Sequence, residues 1–187
     1  MFKSSRSSRA VIFIALIGVC GWAATMQAGE GDRYGFGLPA TEAEIAAWNI
    51  DINPNGAGLP PGRGTVQQGA VIYANKCNAC HGTTGTEGPQ SRLVGGQGSL
   101  ATSQPVKTIG SYWPYATTLY DYIHRAMPLN APQSLTPDEI YSVVAWLLHQ
   151  NGIIPAGAII DAQTLSHVKM PNREGFVPDP RPDIPFR

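Results

Sequence analysis

The 187-residue sequence is poor in charge, in cysteine and in long apolar runs. Charged residues make up 14% of the chain, and 13 Lys and Arg balance 13 Asp and Glu, so the formal net charge is zero. This balance of charge argues against binding to nucleic acid through electrostatic attraction, because such binding needs an excess of basic residues. With three cysteines, the chain also lacks the two separated pairs of a usual four-ligand zinc site.

Apolar residues, glycine and proline are well represented. Hydrophobic residues reach 43% of the chain and include four Trp and seven Tyr, so a packed core can form. The 21 Gly and 16 Pro indicate that much of the chain is ordered loop. The length suits one small domain with extensions.

The N-terminus has the pattern of a secretory signal peptide. Lys3, Arg6 and Arg9 precede an apolar run over residues 10–24, which is shorter than the roughly 20 residues of a membrane-spanning helix. Small residues follow the run, so we predict a signal peptide over residues 1–28 and a periplasmic mature protein without a stable membrane span. An uncleaved anchor and a lipoprotein modified at Cys20 are the alternatives.

Removal of that segment changes both the charge and the cysteine count. The remaining chain has ten basic and 13 acidic residues, so the mature protein has a net charge of −3. Cys77 and Cys80 become the only cysteines of the chain.

These two cysteines stand in the sequence Cys77-Asn78-Ala79-Cys80-His81. A disulfide, half of a zinc site and a thioredoxin-like redox motif are the other interpretations of a close cysteine pair. The thioredoxin interpretation requires a βαβ pattern that is not apparent here. C-x-x-C-H is the attachment sequence of c-type haem, so we predict one covalent haem c, with thioethers to Cys77 and Cys80 and with His81 as the proximal iron ligand.

Helical patterns surround this motif. We predict helices over residues 65–78 and 115–126 and a third that begins at Thr136 and ends at Gly152, with residues 82–110 forming a loop. Two capping boxes mark helix starts, Thr65 with Gln68 and Thr136 with Glu139.

The loop after the motif contains candidates for supporting the haem. A haem-ligating histidine usually donates its second ring N–H to a carbonyl, and we expect this carbonyl near Pro89. Arg92, Tyr112 and Trp113 are candidate propionate contacts, although each is equally an ordinary packing or surface residue.

The sixth iron ligand decides whether such a haem carries electrons or binds small molecules. Met127, beside a proline at the end of a predicted helix, is the favoured ligand, and Met170, also beside a proline, is the alternative. A bis-His haem would use His124, His149 or His167. An open iron position, as in a peroxidase or gas sensor, requires that neither methionine binds.

These residues together resemble class I cytochrome c. The likeness covers roughly residues 65–152 and rests on the haem motif, the Gly-Pro loop, Met127-Pro128 and the terminal helix. The flanking segments resemble the SoxD cytochrome subunit of the Sox sulfur-oxidation system. They are residues 34–37, 40–41, 50–51, 59–62, 105–118, 131–135, 151–153 and 170–173.

The resemblance implies an all-α class I cytochrome c fold with long, loop-rich extensions. It further implies an electron-transfer subunit, not a catalytic one, that accepts electrons from a molybdenum-containing sulfane or sulfite dehydrogenase subunit and reduces a downstream periplasmic cytochrome. One departure stands out, because members of that family often carry two haems and this chain has a single C-x-x-C-H. A free electron shuttle and a subunit of an alcohol or aldehyde dehydrogenase are the alternatives.

The expected organisation has four parts, which are a signal peptide at 1–28, an N-terminal extension at 29–63, the haem domain at 64–152 and a Pro-rich C-terminal extension at 153–187. Both extensions exceed what a minimal haem domain needs, and they contain apolar residues such as Trp48. Such segments either wrap the haem domain or dock onto another subunit.

Overall fold

The computed structural model describes residues 36–179. Contacts divide the chain into two units, Met1–Thr41 and Glu42–Arg187. The described residues of the first unit, 36–41, are irregular and exposed. The predicted signal peptide lies outside the described residues.

Within the described residues, the second unit is built from α-helices and one short pair of strands. The helices are α1 (Glu42–Trp48), α2 (Val66–Lys76), α3 (Asn78–His81), α4 (Ala116–Ala126) and α5 (Pro137–Gln150). The strands are β1 (Arg63–Thr65) and β2 (Ile159–Asp161), and single 3₁₀ turns lie at Ser99–Ala101 and Leu165–His167. The predicted all-α class is therefore confirmed. No helix within residues 36–179 is long and apolar enough to cross a membrane.

The three predicted helices are confirmed as α2, α4 and α5. Both capping boxes are formed, so the first-turn N–H groups of α2 and α5 have side-chain partners. Helix α2 ends two residues before the predicted boundary, because Cys77 leaves helical geometry and begins the separate turn α3.

Helices α2 and α5 cross at a glycine. A Cβ atom at Gly69 would lie 1.9 Å from the backbone oxygen of Ser142, so only glycine allows this approach. One turn further along, Tyr73 stacks on Trp146 with 3.9 Å between the ring centroids. The crossing fixes the end of α2 that leads into the haem motif.

The strand pair joins the C-terminal extension to the boundary between the N-terminal extension and the haem domain, and it was not predicted from the sequence. Strands β1 and β2 are antiparallel, with Gly64 opposite Ile160. A Cβ atom at Gly64 would lie 2.1 Å from the backbone nitrogen of Ser142, so β1 packs directly on α5. Ile160 is 3% exposed and joins the core.

Residues 50–63 of the N-terminal extension are held on the haem domain by hydrogen bonds at four points. The N–H of Ile52 donates to the buried carboxylate of Asp121, 3.0 Å away. The other three bonds run from the Thr117 hydroxyl to Pro54 O, from the Tyr141 hydroxyl to Pro60 O and from Arg63 N–H to Asp138 Oδ1. This part of the extension wraps the domain.

The C-terminal extension also contributes to the core. Leu165 is fully buried and Met170 is 3% exposed, so residues 160–170 pack as part of the domain. The side-chain amide of Asn172 donates to Tyr112 O at 2.7 Å, so the attachment of the C-terminal extension to the domain reaches this residue. Phe176 and Val177, which follow, are exposed.

Candidate functional site

The C-x-x-C-H motif forms a single helical turn. Cys77 both ends α2 and begins α3, and its carbonyl accepts from the N–H groups of Cys80 and His81 at 3.1 and 3.0 Å. Gly82, with φ +77°, ends the turn. The buried Tyr73 hydroxyl donates to Gly82 O at 2.9 Å, which ties the turn to the α2–α5 crossing.

Both cysteines are free thiols. Cys77 is half-buried, and burial, followed by the nearby Cys80, raises the pKa of its thiol to about 11. A redox-active cysteine needs a lowered pKa, because the thiolate is the reactive form. The raised pKa of Cys77 therefore argues against the thioredoxin-like interpretation.

The ring of His81 is oriented by the loop that follows. Its Nδ1 lies 2.9 Å from the backbone oxygen of Ser91. Since a carbonyl only accepts, Nδ1 carries the proton and Nε2 is left as the atom able to bind a metal. The accepting carbonyl was expected near Pro89, and it belongs to the residue two positions further along.

The loop reaches this position because it packs closely on the motif. A Cβ atom at Gly88 would lie 2.2 Å from Cys80 O, and the N–H of Gln90 donates to the same oxygen at 2.9 Å. The glycine of the Gly-Pro pair thus allows the contact that presents Ser91 to His81.

A carboxylate that the sequence analysis did not single out holds the loop together. Glu87 accepts from the backbone N–H groups of Thr84 and Thr86 at 3.0 and 3.1 Å and from the hydroxyls of both threonines. These hydrogen bonds, first those from the Thr84 and Thr86 side chains, lower the pKa of Glu87 from 4.5 to about 2. Thr84 and Glu87 have the same spacing as the two residues of a capping box, and this spacing is the signal that could have identified the arrangement.

Replacing Glu87 with Gln should remove a pH-dependent part of the stability. Because its pKa is depressed in the folded state, the Glu87 carboxylate stabilises the fold above pH 4.5, and this contribution is lost as the pH falls toward 2. We expect Glu87→Gln to melt below the wild type at pH 7 and the two melting temperatures to converge near pH 2. Thermal melts of both proteins from pH 7 to pH 2 measure this, and a difference that is independent of pH would contradict it.

The three candidate contacts for the haem propionates differ in their surroundings. Arg92 is exposed, and its Nε–H donates to Thr86 O at 3.3 Å, so part of the guanidinium is engaged by the loop. Trp113 is half-buried against the core and meets Tyr122 edge-on at 5.8 Å. Tyr112 contacts Phe176 edge-on.

The two candidate methionines differ in burial. Met127 forms the C-cap of α4 and is half-buried at the margin of the core. Met170 is 3% exposed and belongs to the core itself.

The candidate histidine ligands also lie in distinct surroundings. His149 and His167 each place Nδ1 against a backbone carbonyl, those of Ile154 and Gln163. His124 Nδ1 is buried and has no hydrogen-bond partner among the described residues.

The residues at the margin of the core suit a haem. Half-buried residues that pack against the core include Ile72, Cys77, Leu93, Trp113 and Met127. A c-type haem uses two thiols within one turn for its covalent attachment, and an imidazole nitrogen and a methionine sulfur as iron ligands, and the chain offers each of these groups. The residues present therefore fit the group.

Comparisons with known proteins agree with this site. A family described as cytochrome c oxidase, cbb3-type, subunit III, matches residues 64–147. One chain of the crystal structure of the sulfane dehydrogenase SoxCD from Paracoccus pantotrophus is 42% identical, with a TM-score of 0.74. The match covers 81% of this chain and 75% of that one. The protein is a class I c-type cytochrome.

Membership of this family gives the cytochrome an electron-transfer role and implies haem c as its cofactor. The predicted resemblance to the Sox cytochrome is confirmed by the identity with a chain of SoxCD. A search of curated proteins found no match.

Proposed function

We propose that the cytochrome is the electron-transfer subunit of a periplasmic, molybdenum-dependent sulfur-compound dehydrogenase. In this role it accepts electrons from a catalytic subunit that oxidises a sulfane or sulfite substrate and passes them singly to another cytochrome. The observation that carries the proposal is the 42% identity with a chain of a sulfane dehydrogenase over 81% of this chain. A likeness limited to the haem domain would cover less than half of the 187 residues.

Each residue of the site has a role in this proposal. Cys77 and Cys80 would hold one haem covalently, and His81 would bind its iron through Nε2, while Ser91 O fixes the imidazole ring. Cys80 is exposed, so a haem held there would be accessible to an electron-transfer partner. Trp113, at the core margin, and Arg92 are the proposed propionate contacts.

Met127 is the proposed distal ligand, with Met170 as the alternative. A distal ligand must reach an open haem face, and the half-buried Met127 at the end of α4 has fewer packing contacts to break than Met170, which is 3% exposed. Bound haem supplies one-electron iron chemistry, and a Met ligand favours the ferrous state and raises the potential. His81 and Met127 would then both bind the iron, so the chain itself would supply both of its protein ligands.

The proposed location and domain layout follow from the same role. Residues 1–28 would direct export and be removed, residues 64–152 would form the haem domain, and residues 29–63 and 153–187 would form the extensions. This layout is supported by the β1–β2 pair and by the hydrogen bonds of residues 50–63, which attach parts of the proposed extensions to the domain.

Purification of the tagged full chain from the periplasm of its own host tests the proposal. We expect molybdenum and haem to co-elute in constant ratio, and a chain carrying both Cys77→Ala and Cys80→Ala to yield fractions without covalent haem. A haem-containing monomer without molybdenum would contradict the proposal and favour a free shuttle. Co-elution with an alcohol or aldehyde dehydrogenase would also contradict it.

A further inference from the structure

The packing of the N-terminal extension on the domain begins at residue 50. After this point Ile52 is 8% exposed and its N–H is held by Asp121. Before it, α1 buries none of its seven residues, and Trp48 is 85% exposed. Helix α1 therefore lies outside residues 50–63, the part of the extension that wraps the domain.

Helix α1 presents an apolar face to solvent. Ile45 and Trp48 are three residues apart and so lie on the same side of the helix, with 46% and 85% of their surfaces exposed. The other tryptophan of the described helices, Trp146, is 7% exposed. The described residues of the preceding unit are likewise exposed, and they include Phe36 and Leu38.

A helix of this kind gains stability from a partner. Isolated helices shorter than about 12 residues are marginal in water, and α1 has seven residues and no buried face. Tryptophan is enriched among the residues that dominate binding energy at protein interfaces, where its large ring is removed from water. The Ile45–Trp48 face therefore has the chemistry of a docking surface.

The extent of the structural match identifies the kind of partner. A match over 81% of 187 residues spans about 151 residues, so it cannot begin later than about residue 37. The stretch shared with the sulfane dehydrogenase chain thus includes α1, which lies outside the haem domain. Unlike residues 50–63, α1 buries none of its residues on its own domain, so a contact with another subunit of the complex accounts for its presence in the shared stretch.

We propose that the Ile45–Trp48 face of α1 docks onto the catalytic dehydrogenase subunit, a partner that rests on the function proposed above. Three residues separate α1 from Ile52, whose N–H donates to Asp121 of α4. Helix α4 ends at Ala126, and its C-cap is Met127, the proposed distal ligand. A partner held at α1 is thereby linked to the haem domain through a short, anchored segment.

Binding measurements with the haem-loaded full chain test this inference. The binding partner is the molybdenum subunit separated from the complex that co-purifies with the chain, and isothermal titration gives the Kd. We expect the double variant Ile45→Ala and Trp48→Ala to bind at least about tenfold more weakly. Its melting temperature and visible spectrum should equal those of the wild type. Val177→Ala removes another apolar side chain that is 85% exposed and should bind within about twofold of the wild type.

The outcomes separate this inference from the proposed function. If the wild type binds the subunit and the α1 variant binds equally well, the docking role is wrong while the function stands. An unchanged Kd with a lowered melting temperature would show that α1 packs on its own chain. Altered self-association in sedimentation, with an unchanged Kd, would show that a second copy covers the face. If no molybdenum subunit co-purifies with or binds the wild type, the proposed function itself fails.

Discussion

We expect Met127→Ala to remove the far-red absorption band that a methionine ligand gives to ferric haem. The reduction potential should also fall, by roughly 100 mV or more, because axial ligands set haem potentials over a range of about 0.8 V. The reason is that loss of the thioether removes the ligand that favours the ferrous state. Visible spectroscopy and a redox titration of the purified protein measure both effects.

Met170→Ala is the matched control for this experiment. Met170 is 3% exposed in the core, so its truncation should leave the band in place and lower the free energy of unfolding by about 2–5 kcal/mol. A band that persists in Met127→Ala and disappears in Met170→Ala would reverse the assignment of the distal ligand. A wild type without the band would favour an open iron position or a histidine ligand.

Gly69→Ala is expected to destabilise the fold strongly, although alanine is the better helix former. The gain in helix propensity is about 1 kcal/mol. Against it, the new Cβ would lie 1.9 Å from Ser142 O and 2.7 Å from Trp146 Cβ, so α2 and α5 must move apart. Overpacking of this severity costs about 3 kcal/mol or more, and the net loss in the free energy of unfolding is then about 2 kcal/mol or more.

Gly157→Ala provides the control for the helix crossing. A Cβ atom at this position would meet nothing within 4 Å, so the stability should change by less than about 0.5 kcal/mol. Guanidinium unfolding of both variants in the haem-bound form measures the difference. Equal stability of the two variants would contradict the close crossing of α2 and α5.

Features encoded within a few residues were predictable from the sequence. The two capping boxes involve side chains three positions apart, and they placed the starts of α2 and α5 correctly. The C-x-x-C-H turn is equally local, since its hydrogen bonds join Cys77 to Cys80 and His81. The Gly-Pro pair located the loop that supports the histidine to within two residues.

Features that depend on contacts between distant residues were not predictable. The pairing of Gly64 with Ile160 joins residues almost one hundred positions apart, and three-residue strands carry no usable periodicity. The division of the N-terminal extension at residue 50 depends on Asp121, which lies on a helix far along the chain. Composition alone left both wrapping and docking open, and the contacts assign residues 50–63 to wrapping.

The most direct test of the account is substrate-driven reduction of the haem in the purified complex. Under anaerobic conditions a sulfane or sulfite substrate is mixed rapidly with the oxidised complex, and the haem spectrum is followed in a single turnover. We expect the haem to become reduced in the presence of the molybdenum subunit and to stay oxidised in its absence. A haem that remains oxidised in the intact complex, while the molybdenum centre is reduced by substrate, would contradict the electron-transfer role proposed for this chain.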